Sequence, residues 1–337
     1  MKAVGYRQPL PISAAESLLD VELPEPEPGG RDLLVQVKAV SVNPIDTKVR
    51  QTTTPESGEV KVLGYDAAGV VMAIGSDAQL FKIADEVWYA GSIARPGTNA
   101  ELHLVDERIV GRKPSSLDFA QAAALPLTTI TAWELLFDRL GVLRGEQASG
   151  ESLLIVGAAG GVGSILTQLA RKLTGLTVIG TASRAETADW VRELGAHHVI
   201  DHGKALSDEL RRIDIPQVTH VASLTHSDAH FSEIVKLLAP QGRFGLIDDP
   251  LSLDINLLKQ KSLSLHWELM FTRSMFETTD MIAQHELLCD AARLVDTEVV
   301  RTTFGEHFGR INADNLKRAH AFIEQHRTKG KIVLEGF

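Results

Sequence analysis

Residues 152–164 read SLLIVGAAGGVGS, and few folds accommodate such a string. Residues 152–156 form a short apolar run suited to a buried parallel strand. A glycine-rich turn follows at once, Gly157-Ala158-Ala159-Gly160-Gly161-Val162-Gly163, and residues 165–173 then carry apolar side chains at helical spacing. A strand, a turn nearly without side chains and a helix N-terminus together make a pyrophosphate site. The glycines let the backbone approach the phosphates, and the unpaired N–H groups of the helix supply positive potential. The motif gains specificity from a second strand about twenty residues on, and residues 177–183, TVIGTAS, provide it. The alternative is a tight strand-to-helix turn that binds nothing.

The end of that second strand selects the dinucleotide. An acid there would pair with the ribose 2′-hydroxyl of NAD. This chain places Ser183-Arg184 at the position and has no acid before Glu186. A carboxylate would repel a 2′-phosphate, whereas a hydroxyl and a guanidinium can bind one. The expectation is therefore NADPH rather than NADH. The other reading of Arg184 is a solvated residue at a helix start.

The chain has 337 residues, enough for two domains of ordinary size, and a net charge of −10. That acidic balance argues against the phosphate backbone of nucleic acid as the main partner. Cys289 is the single cysteine, so the sequence holds no intrachain disulfide and no zinc site built on several thiolates. The N-terminus has no apolar signal region, and no apolar run approaches the length of a membrane span. A cytoplasmic location is the default expectation.

Residues 1–113 read as mostly β, with strand-like runs at 33–42, 67–74, 86–89 and 100–105 between proline- and glycine-rich turns. They suggest a partly open barrel. Ser115 or Ser116 is placed to cap a helix from Phe119 to Leu125, broken at Pro126, and 128–140 reads as a second helix. A regular strand–helix alternation follows. Strands are expected at 199–201, 218–224, 244–248 and 262–267, with helices at 185–194, 204–213 and 228–238, completing a doubly wound parallel sheet. Leu224 and Ile247, near the ends of two of these strands, are expected to line the cofactor. Helices at 276–295 and 312–324 and a strand at 331–334 end the chain.

Several motifs in order carry a family resemblance: Val42-Asn43-Pro44-Ile45-Asp46, Leu63-Gly64-Tyr65-Asp66-Ala67-Ala68-Gly69-Val70-Val71, Ala123-Ala124-Leu125-Pro126-Leu127-Thr128, the turn from Gly157 to Gly163, Glu193-Leu194-Gly195-Ala196 and Gly330-Lys331-Ile332-Val333-Leu334. Together they resemble the medium-chain dehydrogenase/reductase superfamily, closest to its zinc-independent quinone oxidoreductase branch, which includes zinc-type alcohol dehydrogenase-like proteins. The resemblance covers essentially the whole chain. It implies an α/β protein with a GroES-like catalytic domain at 1–124 and 266–337 around a Rossmann domain at 125–265, an active site in the cleft between them, and a homodimer.

By that resemblance the cofactor contacts are Ala159, Gly160, Gly161, Val162, Gly163, Ser183, Arg184, His202, Leu224, Ile247 and Lys331. His202 stands where relatives often carry a tyrosine near the adenine ribose; a surface turn residue is the other reading. Lys331 lies where relatives bring the chain toward the cofactor, though a final edge strand also explains it. Asn43 and Thr128 are placed near the nicotinamide with Asp46 close by, and Asn43 alternatively serves as a turn residue before Pro44. Lys48 stands where the quinone branch often has a tyrosine; it could stabilise an oxyanion or simply be solvated. Tyr65, Trp267, Met270 and Phe271 are candidates for an apolar wall against a flat substrate, or for core or dimer contacts.

Zinc-dependent relatives carry cysteines and a Gly-His-Glu where this chain has Asn43–Asp46 and Gly64-Tyr65-Asp66, and a four-cysteine lobe where residues 88–106 have none. Zinc needs about three or four well-placed ligands, which Asp46 and Asp66 alone cannot supply. His285 and Cys289, at i and i+4, could put two ligands on one helix face; core residues are the plainer reading. Without a Lewis acid, hydride transfer favours acceptors that delocalise charge themselves, namely quinones and α,β-unsaturated carbonyls. The rival expectations are a zinc-containing alcohol dehydrogenase, and a non-catalytic NADPH sensor or RNA-binding protein on the same fold.

Overall fold

A computed structural model describes residues 1–325 and 328–337. The chain divides into two compact units, one of Met1–Ile130 and Phe271–Phe337, the other of Thr131–Met270. The changeovers lie five or six residues beyond those expected at 124/125 and 265/266.

The second unit is a doubly wound α/β layer. Ser152–Val156 is central in a sheet of six parallel strands. Thr177–Thr181 and then His198–Ile200 lie to one side, and Val218–Ser223, Leu238–Leu246 and Ser264–Trp267 to the other. The central strand is buried along its whole length, as a strand covered by helices on both faces must be. Leu154 and Val156 join Ile179, Val221, Phe244 and Leu246 in one core. The strand order reverses beside Ser152–Val156, which places the glycine turn at the switch point where such sheets bind ligands.

Boundaries differ from expectation where tertiary pairing overrides pattern. The strand expected at 244–248 starts at Leu238 because it runs parallel to Val218–Ser223 through an irregular register. The helix expected at 128–140 is α-helical only over Pro126–Trp133, and Glu134–Arg139 widens into a π-helix. There Arg139 pairs with the buried Glu268 at 2.8 Å.

The first unit holds two sheets. Lys2–Tyr6 pairs with Leu19–Glu22 and Lys61–Val62. The larger sheet runs Phe304–His307, Lys331–Glu335, Asp32–Val42, Ala67–Ile74, Glu86–Tyr89, Val110–Arg112, with Leu102–Asp106 also on Asp32–Val42. Ser115 and Ser116 do not cap a helix as expected. Their hydroxyls donate to Asp296 at 3.0 and 2.7 Å, and Asp118 caps Phe119–Ala123.

Arg50, on helix Pro44–Thr52, pairs with Glu324 at the end of helix Ala313–Glu324. Beside Arg50, His320 is fully buried, and neither ring nitrogen has a hydrogen-bond partner among the described residues. Burial first, then the Arg50 charge, lowers its pKa to about 3. Burial likewise lowers His103 and His220 to about 4. The folded chain thus refuses protons that the unfolded chain accepts near pH 6.5. Stability from these rings is complete above that value and falls with pH through the interval down to about 3. Urea midpoints measured from pH 7 to pH 5 should fall for the parent and fall less for His320→Leu. Equal slopes would show that His320 does not contribute to the acid limb.

Candidate functional site

The glycine turn is built to leave space at a helix N-terminus. Gly157 sits at φ +83°, in the left-handed region that favours glycine, and ends the central strand. Its N–H donates to the Thr181 hydroxyl oxygen at 3.0 Å. Gly163 lies in the first turn of helix Gly161–Leu173, where a Cβ would lie 2.5 Å from the Gly157 carbonyl oxygen and 2.6 Å from Ala158 Cα. This glycine brings helix and strand into contact. Gly160, the N-cap, has no side chain to satisfy the first N–H groups, and no atom within 3.5 Å would meet a Cβ there. Ala159, Gly160, Gly161 and Val162 remain partly exposed. A glycine-rich cradle with free N–H donors in the first helical turn and the positive end of a helix dipole fits a pyrophosphate. The Gly160 N–H is itself bonded to the Gly157 carbonyl at 3.3 Å, so these residues fit a dinucleotide held by the N–H groups of 161–163.

The other cofactor residues expected in this unit gather at the same edge of the sheet. Ser183 and the N-cap Arg184 follow Thr177–Thr181 and are exposed. His202 Nδ1 lies 3.0 Å from the Thr181 hydroxyl, so one threonine links the glycine turn to this histidine. Burial lowers the His202 pKa, and the neutral ring suits acceptance from that hydroxyl. Leu224 and Ile247 are half-buried beyond the ends of the two strands past the switch point. Sequence reasoning missed Thr181 and Asp248. The latter is bound to Ser227 through its backbone N–H at 2.8 Å and through its hydroxyl. Neither has a motif signal, since each is recognised only by what it meets across the sheet.

In the other unit, Asn43, Asp46, Asp66 and Lys331 form a buried polar cluster. Pro44 opens helix Pro44–Thr52, where a missing N–H costs nothing. Asp46, in the first turn, accepts from Asn43 N–H at 2.8 Å and Gly64 N–H at 2.9 Å. Asp66 accepts from Leu127 N–H at 2.7 Å, Asn43 Nδ2 at 2.8 Å and Lys331 Nζ at 3.0 Å. Lys331 also donates to Asn43 Oδ1 and to the Val42 carbonyl at 3.3 Å. Burial pushes the Asp46 carboxyl up to about 7 against the pull of the two N–H groups and Lys331. Burial also pushes Asp66 up. Its described partners are all donors, so the arrangement holds the carboxylate.

Two expectations need correction. Lys331 was expected to meet the cofactor, but its ammonium is 4% exposed and each of its protons faces an oxygen of this cluster. Asn43 was expected near the nicotinamide, but it is buried, with its amide oxygen on Lys331 and its amide nitrogen on Asp66. Thr128 is buried and donates to the Leu125 carbonyl at 3.0 Å. Lys48 lies on the exposed side of its helix. Tyr65 is fully buried, its ring edge-on to Phe271 at 5.3 Å, and burial pushes its phenol up. Met270 and Phe271 are buried, whereas Trp267 is 51% exposed.

The cluster does not fit a catalytic zinc. Its donors are oxygens with an ammonium already among them, and it holds no cysteine or histidine. Among the described residues no group of His, Cys, Asp and Glu is disposed to hold a metal ion. His285 Nδ1 instead contacts the Val110 carbonyl at 2.6 Å, with Cys289 Sγ 3.8 Å from Nε2.

Known proteins bear on this geometry. The alcohol dehydrogenase GroES-like domain matches residues 29–115, and the zinc-binding dehydrogenase family matches 194–334. A zinc-type alcohol dehydrogenase-like protein of Staphylococcus aureus (strain MSSA476) is 38% identical over 339 residues, covering 99% of both chains. The chain belongs to the medium-chain dehydrogenase/reductase superfamily. A crystal structure from Rhizobium etli CFN 42, described as a zinc-dependent alcohol dehydrogenase, is 60% identical with a TM-score of 0.96. It covers 100% of this chain, which covers 98% of it. Escherichia coli quinone oxidoreductase complexed with NADPH matches at 26% identity and a TM-score of 0.84, covering 99% of this chain and 100% of its own. As a member of this superfamily the chain is an oxidoreductase on a nicotinamide-binding fold. No helix among the described residues is long and apolar enough to cross a membrane.

Proposed function

We propose that this dehydrogenase/reductase uses NADPH to reduce quinones or α,β-unsaturated carbonyls without a catalytic metal. The observation that carries the reading is the edge of the nucleotide sheet. There Ser183 and Arg184 stand exposed beside an open glycine cradle, in place of the acid that would select NAD. A 2′-phosphate there would take the Arg184 guanidinium and the Ser183 hydroxyl, with His202 adjacent through Thr181. The similarity to an NADPH-complexed quinone oxidoreductase supports the same choice.

NADPH when bound supplies a hydride, and a quinone or enone accepts it because the arriving charge spreads onto its own oxygen, which then takes a proton from water. The chain's own part is to hold and to exclude. The N–H groups at 161–163 fix the dinucleotide, and the Lys331–Asp66–Asn43 cluster fixes Leu127, and with it the helix turn that carries Thr128. Burial keeps the Tyr65 phenol protonated. The proposal includes a homodimer, from the family resemblance, and a cytoplasmic location, as the default expectation.

The cofactor part is tested by Arg184→Ala. NADPH affinity should fall by roughly tenfold or more, about 1.4 kcal/mol or above, while NADH affinity changes little. Equal loss for both nucleotides, read by fluorescence titration, would remove Arg184 from 2′-phosphate recognition. Stopped-flow NADPH oxidation with a panel of quinones and enones tests the acceptor class. Tight NADPH binding without turnover across the panel would favour the sensor.

A further inference from the structure

Burying an ammonium is costly unless anions and dipoles enclose it. Lys331 is enclosed on all sides by oxygen: the Val42 carbonyl at 3.3 Å, the Asn43 amide oxygen, and the Asp66 carboxylate at 3.0 Å, with Asp46 close enough to feel its charge. These groups come from distant parts of the sequence. Val42 ends one strand, Asn43 precedes a helix, Asp66 precedes another strand, and Lys331 begins the C-terminal strand that pairs with the first. A carbonyl, an amide oxygen and a carboxylate converging on one point, with a second carboxylate close by, make the kind of oxygen donor set a hard cation takes. Here a cation is already present, tethered to the chain by strand pairing. An added ion would compete with the ammonium for the same Asp66 oxygen.

We propose that Lys331 is the built-in cation of this site: its ammonium takes the place of a metal ion, excludes divalent cations, and positions Asn43 and Asp66 in its stead. The inference rests on the metal-free reading of the same cluster and adds the reason for it. Lys331 is thus a positioning residue. Through Asp66 it also fixes the Leu127 N–H, next to Thr128. Removing the ammonium leaves an oxygen cage with excess negative charge, which is what a hard divalent ion requires.

The test compares the full-length chain with Lys331→Ala, by dialysis against Mn²⁺ or Zn²⁺ followed by elemental analysis and by thermal midpoint with and without each ion. The parent should take up neither ion and show no shift. Lys331→Ala should melt lower by roughly 10 °C, take up a stoichiometric ion, and regain at least half the loss with it. Lys331→Ala/Asp66→Asn should lose that uptake. A folded Lys331→Ala that takes up no ion overturns the inference while leaving the metal-free reading intact. Stoichiometric zinc in the parent, lost in Asp66→Asn, overturns both. If Lys331→Ala does not fold in metal-free buffer, refolding with and without Mn²⁺ gives the answer. Ion-dependent recovery supports the inference. Failure with the ion, while Lys331→Met/Asp66→Asn folds, overturns it.

Discussion

Gly163→Val should eliminate NADPH binding and destabilise the nucleotide unit together. A Cβ at this position would lie 2.5 Å from the Gly157 carbonyl oxygen and 2.6 and 2.7 Å from the Ala158 Cα and carbonyl carbon. All three are backbone atoms of the turn and cannot rotate away. The helix must move from the central strand, which both overpacks the joint, at about 1–3 kcal/mol, and pulls the N–H groups of 161–163 off the pyrophosphate. Gly160→Val separates the two effects. Its φ of −70° suits any residue, and its Cβ would meet the Gly157 carbonyl oxygen at an ordinary contact distance of 3.6 Å. The fold should survive with an unchanged melting temperature, while the new side chain occupies the face the phosphates approach. NADPH affinity by calorimetry should drop at least roughly a hundredfold, about 2.7 kcal/mol. Native affinity in Gly160→Val would mean that the cradle is not where the dinucleotide lies.

The second large effect is expected at Asp66. Asp66→Ala removes the carboxylate partner of a buried ammonium and takes an acceptor from the Leu127 N–H and from Asn43 Nδ2, which keeps the Tyr65 carbonyl at 3.3 Å. Breaking a buried pair from one side costs about 3–5 kcal/mol, because the remaining charge has no counterion. Asp66→Asn keeps the shape and two of the acceptor contacts and should lose less. Removing Lys331 and Asp66 charges together should recover part of the loss, since neither charge is then left alone. Chemical denaturation of the single variants and the double variant measures the coupling. Additive losses would mean that Lys331 and Asp66 do not act as a pair.

The nucleotide unit was legible because its signals are local and repeat. Residues 152–164 contain strand, turn and helix start in one string, and residues 177–181 contain the second strand. The helix at Pro44–Thr52 was not read. Asn43-Pro44 signals a turn by composition, whereas Pro at the first helical position followed by Asp46 accepting the Asn43 N–H is a helix start. The polar cluster was beyond reach for a different reason. Lys331 meets Asn43 across 288 positions of sequence and Asp66 across 265. No periodicity encodes such a meeting; it exists because the C-terminal strand pairs with Asp32–Val42 in one register. That pairing turned Lys331 from an expected cofactor contact into the centre of an ion cluster. It likewise made Asn43, expected near the nicotinamide, part of the lysine's cage. That residues 43–46 and 64–66 hold no cysteine or histidine is readable from residue types alone, whereas the lysine standing among the oxygens is not.

The most direct measurement of the central claim is NADPH oxidation with a quinone or enone acceptor by chelator-treated, metal-analysed protein. The account predicts turnover that is unchanged by chelation, with no zinc retained and NADPH preferred to NADH. Turnover that disappears with chelation and returns with one zinc per chain would contradict it.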